Sequence, residues 1–134
     1  MNKVDEIKNN IPVLEDKLAN ICKTYDVTFN ELLTELIRFL DLIHFSNNKL
    51  SPSYIVDLAW HEFILFTRFY ERFCNKHYHR FIHHTPGKKE NKQLFLDTIK
   101  LYIQQYGKPN IKIWGNIAHK EWETETANCG SCYN

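Results

Sequence analysis

Residues Thr28 to Ser46 read T-F-N-E-L-L-T-E-L-I-R-F-L-D-L-I-H-F-S, and this stretch decides the fold. Thr28 followed three residues later by Glu31 is the reciprocal capping pattern that opens a helix. Beyond it Phe29, Leu32, Leu33, Leu36, Ile37, Leu40 and Ile43 recur every three or four residues, a broad apolar stripe that must be buried against other elements. Upstream, Pro12 can open a helix in which Leu14, Leu18, Ile21, Cys22 and Tyr25 share one face. Downstream, Ser46-Asn47-Asn48-Lys49 breaks the pattern, and Ser51-Pro52 restarts it with a capping residue followed by proline at the first helical position.

The helix after Ser51 is expected to run to about Cys74. It is apolar around most of its circumference, with a narrow polar strip through Asp57, His61, Arg68 and Arg72, which suits the middle of a bundle. A last long helix from about Glu90 carries Phe95, Ile99, Tyr102, Ile103 and Tyr106 and stops at Gly107, with Pro109 beyond. Residues 111–118 read either as a short strand, from Ile111 and Ile113, or as a packed capping segment through Trp114 and Ile117. These patterns predict an all-α compact bundle of four to five helices. A single helical domain is expected over residues 1–123 and a flexible C-terminal tail over 124–134, with no internal repeat.

Composition agrees. Of the 134 residues 43% are hydrophobic and 14% aromatic, which is the make-up of a packed chain rather than a disordered one. Only four Gly and four Pro argue against a turn-rich all-β fold. The N-terminal M-N-K-V-D-E-I-K lacks the apolar core of a signal peptide, and no uncharged apolar run approaches the ~18 residues of a membrane span, so a cytoplasmic location is expected. In that compartment Cys22, Cys74, Cys129 and Cys132 are expected as thiols or metal ligands rather than disulfides.

The chemistry-bearing residues concentrate between Asp57 and Pro86, which hold five of the seven histidines. Asp57 and His61 are four apart and share a helix face, while His83 and His84 lie just beyond the expected helix. A carboxylate with several imidazoles is the donor set of a divalent-metal site, zinc or iron, with Asp57, His61, His83 and His84 as ligands if the turn folds back along the helix. The competing reading of these residues is a buried polar network that ties the turn down. Cys74, His77 and His79 match no established metal spacing and are expected to be a packed thiol and a solvated turn. Cys129-Gly130-Ser131-Cys132 is a second metal or redox candidate that lacks two of zinc's four ligands.

From Arg68 to Lys92 seven Lys or Arg face two Glu. Arg68, Arg72, Lys76, Arg80, Lys88 and Lys89, interleaved with Phe73, Tyr78 and Phe81, form a candidate nucleic-acid surface of cations and stacking rings. The pI near 7.7 is low for a dedicated binder of that kind. No nucleophile motif, glycine-rich phosphate loop or paired-carboxylate arrangement is evident, so the main enzyme classes have no support in the sequence.

Asp57, Trp60, His61, Tyr70, Cys74, His83 and His84, together with L-Y-I-Q-Q-Y-G-K-P and Trp114, resemble the glycine-rich domain-containing protein-like family over roughly residues 28–116. The resemblance implies a helical fold and a shared polar cluster but no reaction, and the chain lacks that family's glycine-rich tail. The expected function is a small binding or interaction module with a divalent-metal site. The alternatives are a nucleic-acid contact protein and a metal-dependent enzyme in which His83 would act as acid or base on a metal-activated water.

Overall fold

A computed structural model describes residues 2–84 and 92–128. Among the described residues there are eight helices and no strand: α1 (Lys3–Asn10), α2 (Val13–Tyr25), α3 (Phe29–Ser46), α4 (Tyr54–Ile64), α5 (Thr67–Tyr78), α6 (Lys92–Tyr106), α7 (Ile111–Trp114) and α8 (Asn116–Asn128). The all-α expectation stands, and the count of four to five helices is corrected to eight. None of these helices is long and apolar enough to cross a membrane.

Helix α3 is the centre of the packing. Its capping box is formed in both directions: the Thr28 hydroxyl accepts from the Glu31 amide, and the Thr28 amide donates to the Glu31 carboxylate, each at 3.0 Å. Half of its length is buried, from Leu32 to Ile43, against α1, α2, α4 and α6.

Three departures account for the extra helices. The first is α1, which is only eight residues long, so its apolar face, Val4 and Ile7 with Ile11 just beyond, is too short to stand out as a stripe. Polar contacts dock it as well: Lys3 to Asp41 at 2.9 Å, Lys8 to Asn30 at 2.8 Å, and Glu6 to both Lys76 and His77 at 3.0 Å. The second is at the other end. Asn110 caps α7 through the Lys112 amide, and Gly115, at φ +88°, turns the chain into α8, so the alternating Ile111 and Ile113 lie on a single helical turn rather than a strand. Helix α8 then continues through Asn128, five residues into the expected tail.

The third departure matters most for function. The expected helix from Ser51 to Cys74 is two helices. It begins at Ser53, whose hydroxyl accepts from the Val56 amide at 3.2 Å, while the Ser51 amide is held by the Thr98 hydroxyl of α6. It breaks at Leu65-Phe66, where Phe66 leaves helical geometry at ψ 66° before α5 begins. Ten residues of straight helix would separate Trp60 from Tyr70 by ~15 Å along the axis. In the folded chain the Trp60 indole donates to the Tyr70 hydroxyl at 3.0 Å, which only a sharp bend between them permits.

Candidate functional site

The bend creates a corner, and the chain beyond α5 folds into it. His79 ends α5 in the left-handed conformation, φ +59°, which reverses the backbone. Residues 80–84 then return along α5. The Tyr70 hydroxyl donates to the Ile82 carbonyl at 2.5 Å, and the Phe81 ring packs edge-on to Tyr70. The Cys74 thiol sits against the same hydroxyl and the Ile82 backbone. Burial pushes both Tyr70 and Cys74 above their ordinary pKa, so the one remains a neutral donor and the other an unreactive thiol.

This return brings His84 onto α4. Its Nε2 lies 2.5 Å from Asp57 Oδ1, and its ring stands edge-on to Trp60 with centroids 4.5 Å apart. The His84 side chain is 11% exposed and that of Asp57 45%, so the pair is an inner imidazole behind a solvent-facing carboxylate. His61, one turn along α4 from Asp57, is exposed with its ring 6.3 Å from that of His84. His83 is also exposed and packs against Phe81 at 4.6 Å. Of the four expected ligands, the structure joins Asp57 to His84, leaves His61 nearby, and sets His83 beside a ring. Among the described residues no group of three or more His, Cys, Asp or Glu converges to hold an ion.

The other sequence candidates separate. Cys74 is buried, His77 lies within α5 bonded to Glu6, and His79 is an exposed cap; the expectation that His77 lies on a solvated turn is thereby corrected. Arg68, Arg72 and Lys76 form an exposed stripe on α5, with Arg80 following, but Phe73 and Tyr78 are 1% and 2% exposed and belong to the core. Those two rings cannot stack on bases, which leaves half-buried Phe81 as the one accessible ring of the three expected. Lys88, Lys89, Cys129 and Cys132 lie outside the described residues.

A second polar centre escaped the sequence reading. Glu35 is 4% exposed, in the middle of the α3 stripe. Its carboxylate accepts from the Tyr102 hydroxyl of α6 through both oxygens, from the Trp114 indole at 2.8 Å and from Arg38 Nη1 at 3.2 Å. Arg38 Nη1 also donates to the Tyr102 hydroxyl at 2.8 Å, and its guanidinium lies 4.9 Å from the Tyr106 ring. Burial and the neighbouring carboxylate push Tyr102 above its ordinary pKa, and burial raises Tyr106 to about 12. The available signal was a charged residue three positions after Leu32 and four before Phe39, inside an otherwise apolar face.

Comparison with known proteins corrects the resemblance. A family model described as UCP032817-like matches residues 9–94, and this, rather than the glycine-rich domain-containing protein-like family, is the family found. The residues that suggested the other family, among them Asp57, Trp60, Tyr70, Cys74 and His84, are those that close the α4–α5 corner, and their spacing reports that bend. No curated protein and no solved structure matches the chain.

Proposed function

The chain belongs to the UCP032817-like family, which assigns no reaction, and from that premise and the α4–α5 corner we propose that it is a small binding module whose working part is Asp57, His61 and His84, with a divalent cation such as zinc as the ligand. The observation that carries this reading is the 2.5 Å approach of a half-exposed carboxylate to an inner imidazole delivered from 27 residues away. Oxygen and nitrogen donors of this kind suit zinc, and Asp57 makes the corner reachable from solvent. Binding requires His84 Nε2 without its proton, so that the ion replaces the hydrogen bond to Asp57, and a side-chain rotation that turns His61 inward. His83 or water would complete four-coordination. Trp60 and the Tyr70–Ile82 bond act behind the pair by fixing the orientation of the turn.

The test is metal content and zinc titration of untagged protein, wild type against His61→Ala, His84→Ala and Cys129→Ala/Cys132→Ala. About one zinc per chain, lost in both histidine variants and kept in the cysteine variant, is the expected outcome. Wild type that stays metal-free under zinc titration sinks the reading, as does stoichiometry unaffected by His61→Ala.

A second reading, phosphate contact by the exposed α5 stripe Arg68, Arg72 and Lys76, rests on their i, i+4, i+8 alignment. Lys76 is already engaged by Glu6 at 3.0 Å, which lowers the free charge of that stripe. Binding of single-stranded RNA that falls steeply with salt and weakens in Arg72→Ala would favour it over the metal corner.

A further inference from the structure

We propose that the groove between α3, α6, the 107–110 loop and the start of α7 binds a short peptide with free termini, two or three residues long and carrying an apolar side chain. The groove is open to solvent and has a volume of about 490 Å³, and its walls include Glu31, Glu35, Arg38, Tyr102, Lys108 and Ile111. That volume falls within the usual range of small-ligand sites.

The charges on the walls select the ligand class. Two carboxylates and two cations line one groove, so a simple anion meets Glu31 and Glu35, and a simple cation meets Arg38 and Lys108. Glu35 is taken up by Arg38, Tyr102 and Trp114, so a molecule with both charges complements Glu31 at one end and Arg38 with Lys108 at the other. Glu31 and Arg38 are seven residues apart on α3, ~10 Å of helical rise. The charged groups of a free amino acid are too close together to reach both, whereas an extended di- or tripeptide spans ~7–10 Å.

The arginine is already positioned. Glu35 and Tyr102 hold its Nη1, and Tyr106 lies against its face, so the guanidinium is fixed before a ligand arrives; its side chain is 38% exposed. A planar fork held in this way matches a carboxylate. Glu35, with its oxygens occupied, is a positioning residue for Arg38 rather than a ligand contact. Lys108, 4.9 Å from the Trp122 ring, adds the second cation, and Glu31, which accepts from the Thr28 amide at 3.0 Å and from the Asn110 side-chain amide at 3.5 Å, has its remaining lone pairs for the ammonium end. Ile111, 44% exposed at the rim, supplies apolar surface for the side chain.

Calorimetry and amide-resolved NMR on the full chain test this with three probes: Ala-Leu-Ala, the same peptide N-acetylated and C-amidated, and leucine. Saturable binding of Ala-Leu-Ala is expected, with shifts of the Trp114 indole N–H and of the amides at 107–111. Capping both ends, or shortening to leucine, should weaken binding at least about tenfold through loss of charged hydrogen bonds. Lys108→Gln and Glu31→Gln should each weaken it about fivefold; glutamine keeps the capping box, so both variants should fold. The proposal is overturned by no saturable shift at millimolar peptide, by a capped peptide or leucine binding as tightly as Ala-Leu-Ala, or by Lys108→Gln leaving affinity unchanged.

Discussion

Tyr70→Phe deletes one oxygen from the centre of the α4–α5 corner, and its consequences can be worked from three groups. The Trp60 indole N–H loses its acceptor, the Ile82 carbonyl loses its donor, and Cys74 loses a polar neighbour. Trp60, Tyr70 and Ile82 are 5%, 0% and 3% exposed, so water cannot replace the missing hydroxyl without rearrangement. A buried polar group left without a partner costs about 1–3 kcal/mol, and relaxation at one of the two main sites brings the total to about 2–4 kcal/mol. For a chain of this length that is a fall in Tm of roughly 6–20 °C, since each kcal/mol shifts Tm by about 3–5 °C. Thermal and urea unfolding followed by circular dichroism would measure it. Trp60→Phe and the double variant close a thermodynamic cycle, in which the double should cost less than the sum because both ends of one bond are then removed. Hydrogen exchange should show the loss locally, with faster exchange in residues 80–84. A Tm change below about 2 °C, or strict additivity in the cycle, would refute the claim that this hydroxyl holds the corner closed.

Two further outcomes follow from the other polar contacts. Glu35→Ala strips the Tyr102 hydroxyl, the Trp114 indole and Arg38 of their shared acceptor and is expected to destabilise by about 3–5 kcal/mol, measured by urea unfolding; Arg38→Gln should cost less, since Tyr102 and Trp114 continue to satisfy the carboxylate. Burial pushes the Glu6 carboxyl up, but hydrogen bonds from Lys76 and His77 outweigh it and hold the folded value below the ordinary 4.5. A depressed carboxylate stabilises fully above its unfolded pKa and loses that contribution as pH falls through the folded one. The advantage of wild type over Glu6→Gln should therefore be present at pH 7, below about 1 kcal/mol given the exposure of Lys76, and should be lost as pH falls below the ordinary carboxylate range.

Where local chemistry sufficed, the sequence by itself determined the outcome. The all-helical class, the Thr28–Glu31 cap of α3, its apolar stripe and the Gly107 stop all depend on residues within one or two turns of each other, and each stands in the folded chain. The polar corner was legible in part, because Asp57 and His84 were singled out by residue type. Tertiary structure decided the rest. An apolar run is as consistent with one long helix as with two, and the break at Leu65-Phe66 is selected by bonds such as Trp60–Tyr70 that exist only after the chain has folded back. Helix α1 is held by side chains up to 71 positions away, and Glu35 acquires its partners from α6 and α7, 67 and 79 positions along the chain. Periodicity reads a face and a cap reads a terminus. Which faces meet, and whether an ionisable group among them finds partners, is set by packing between segments that no local pattern connects.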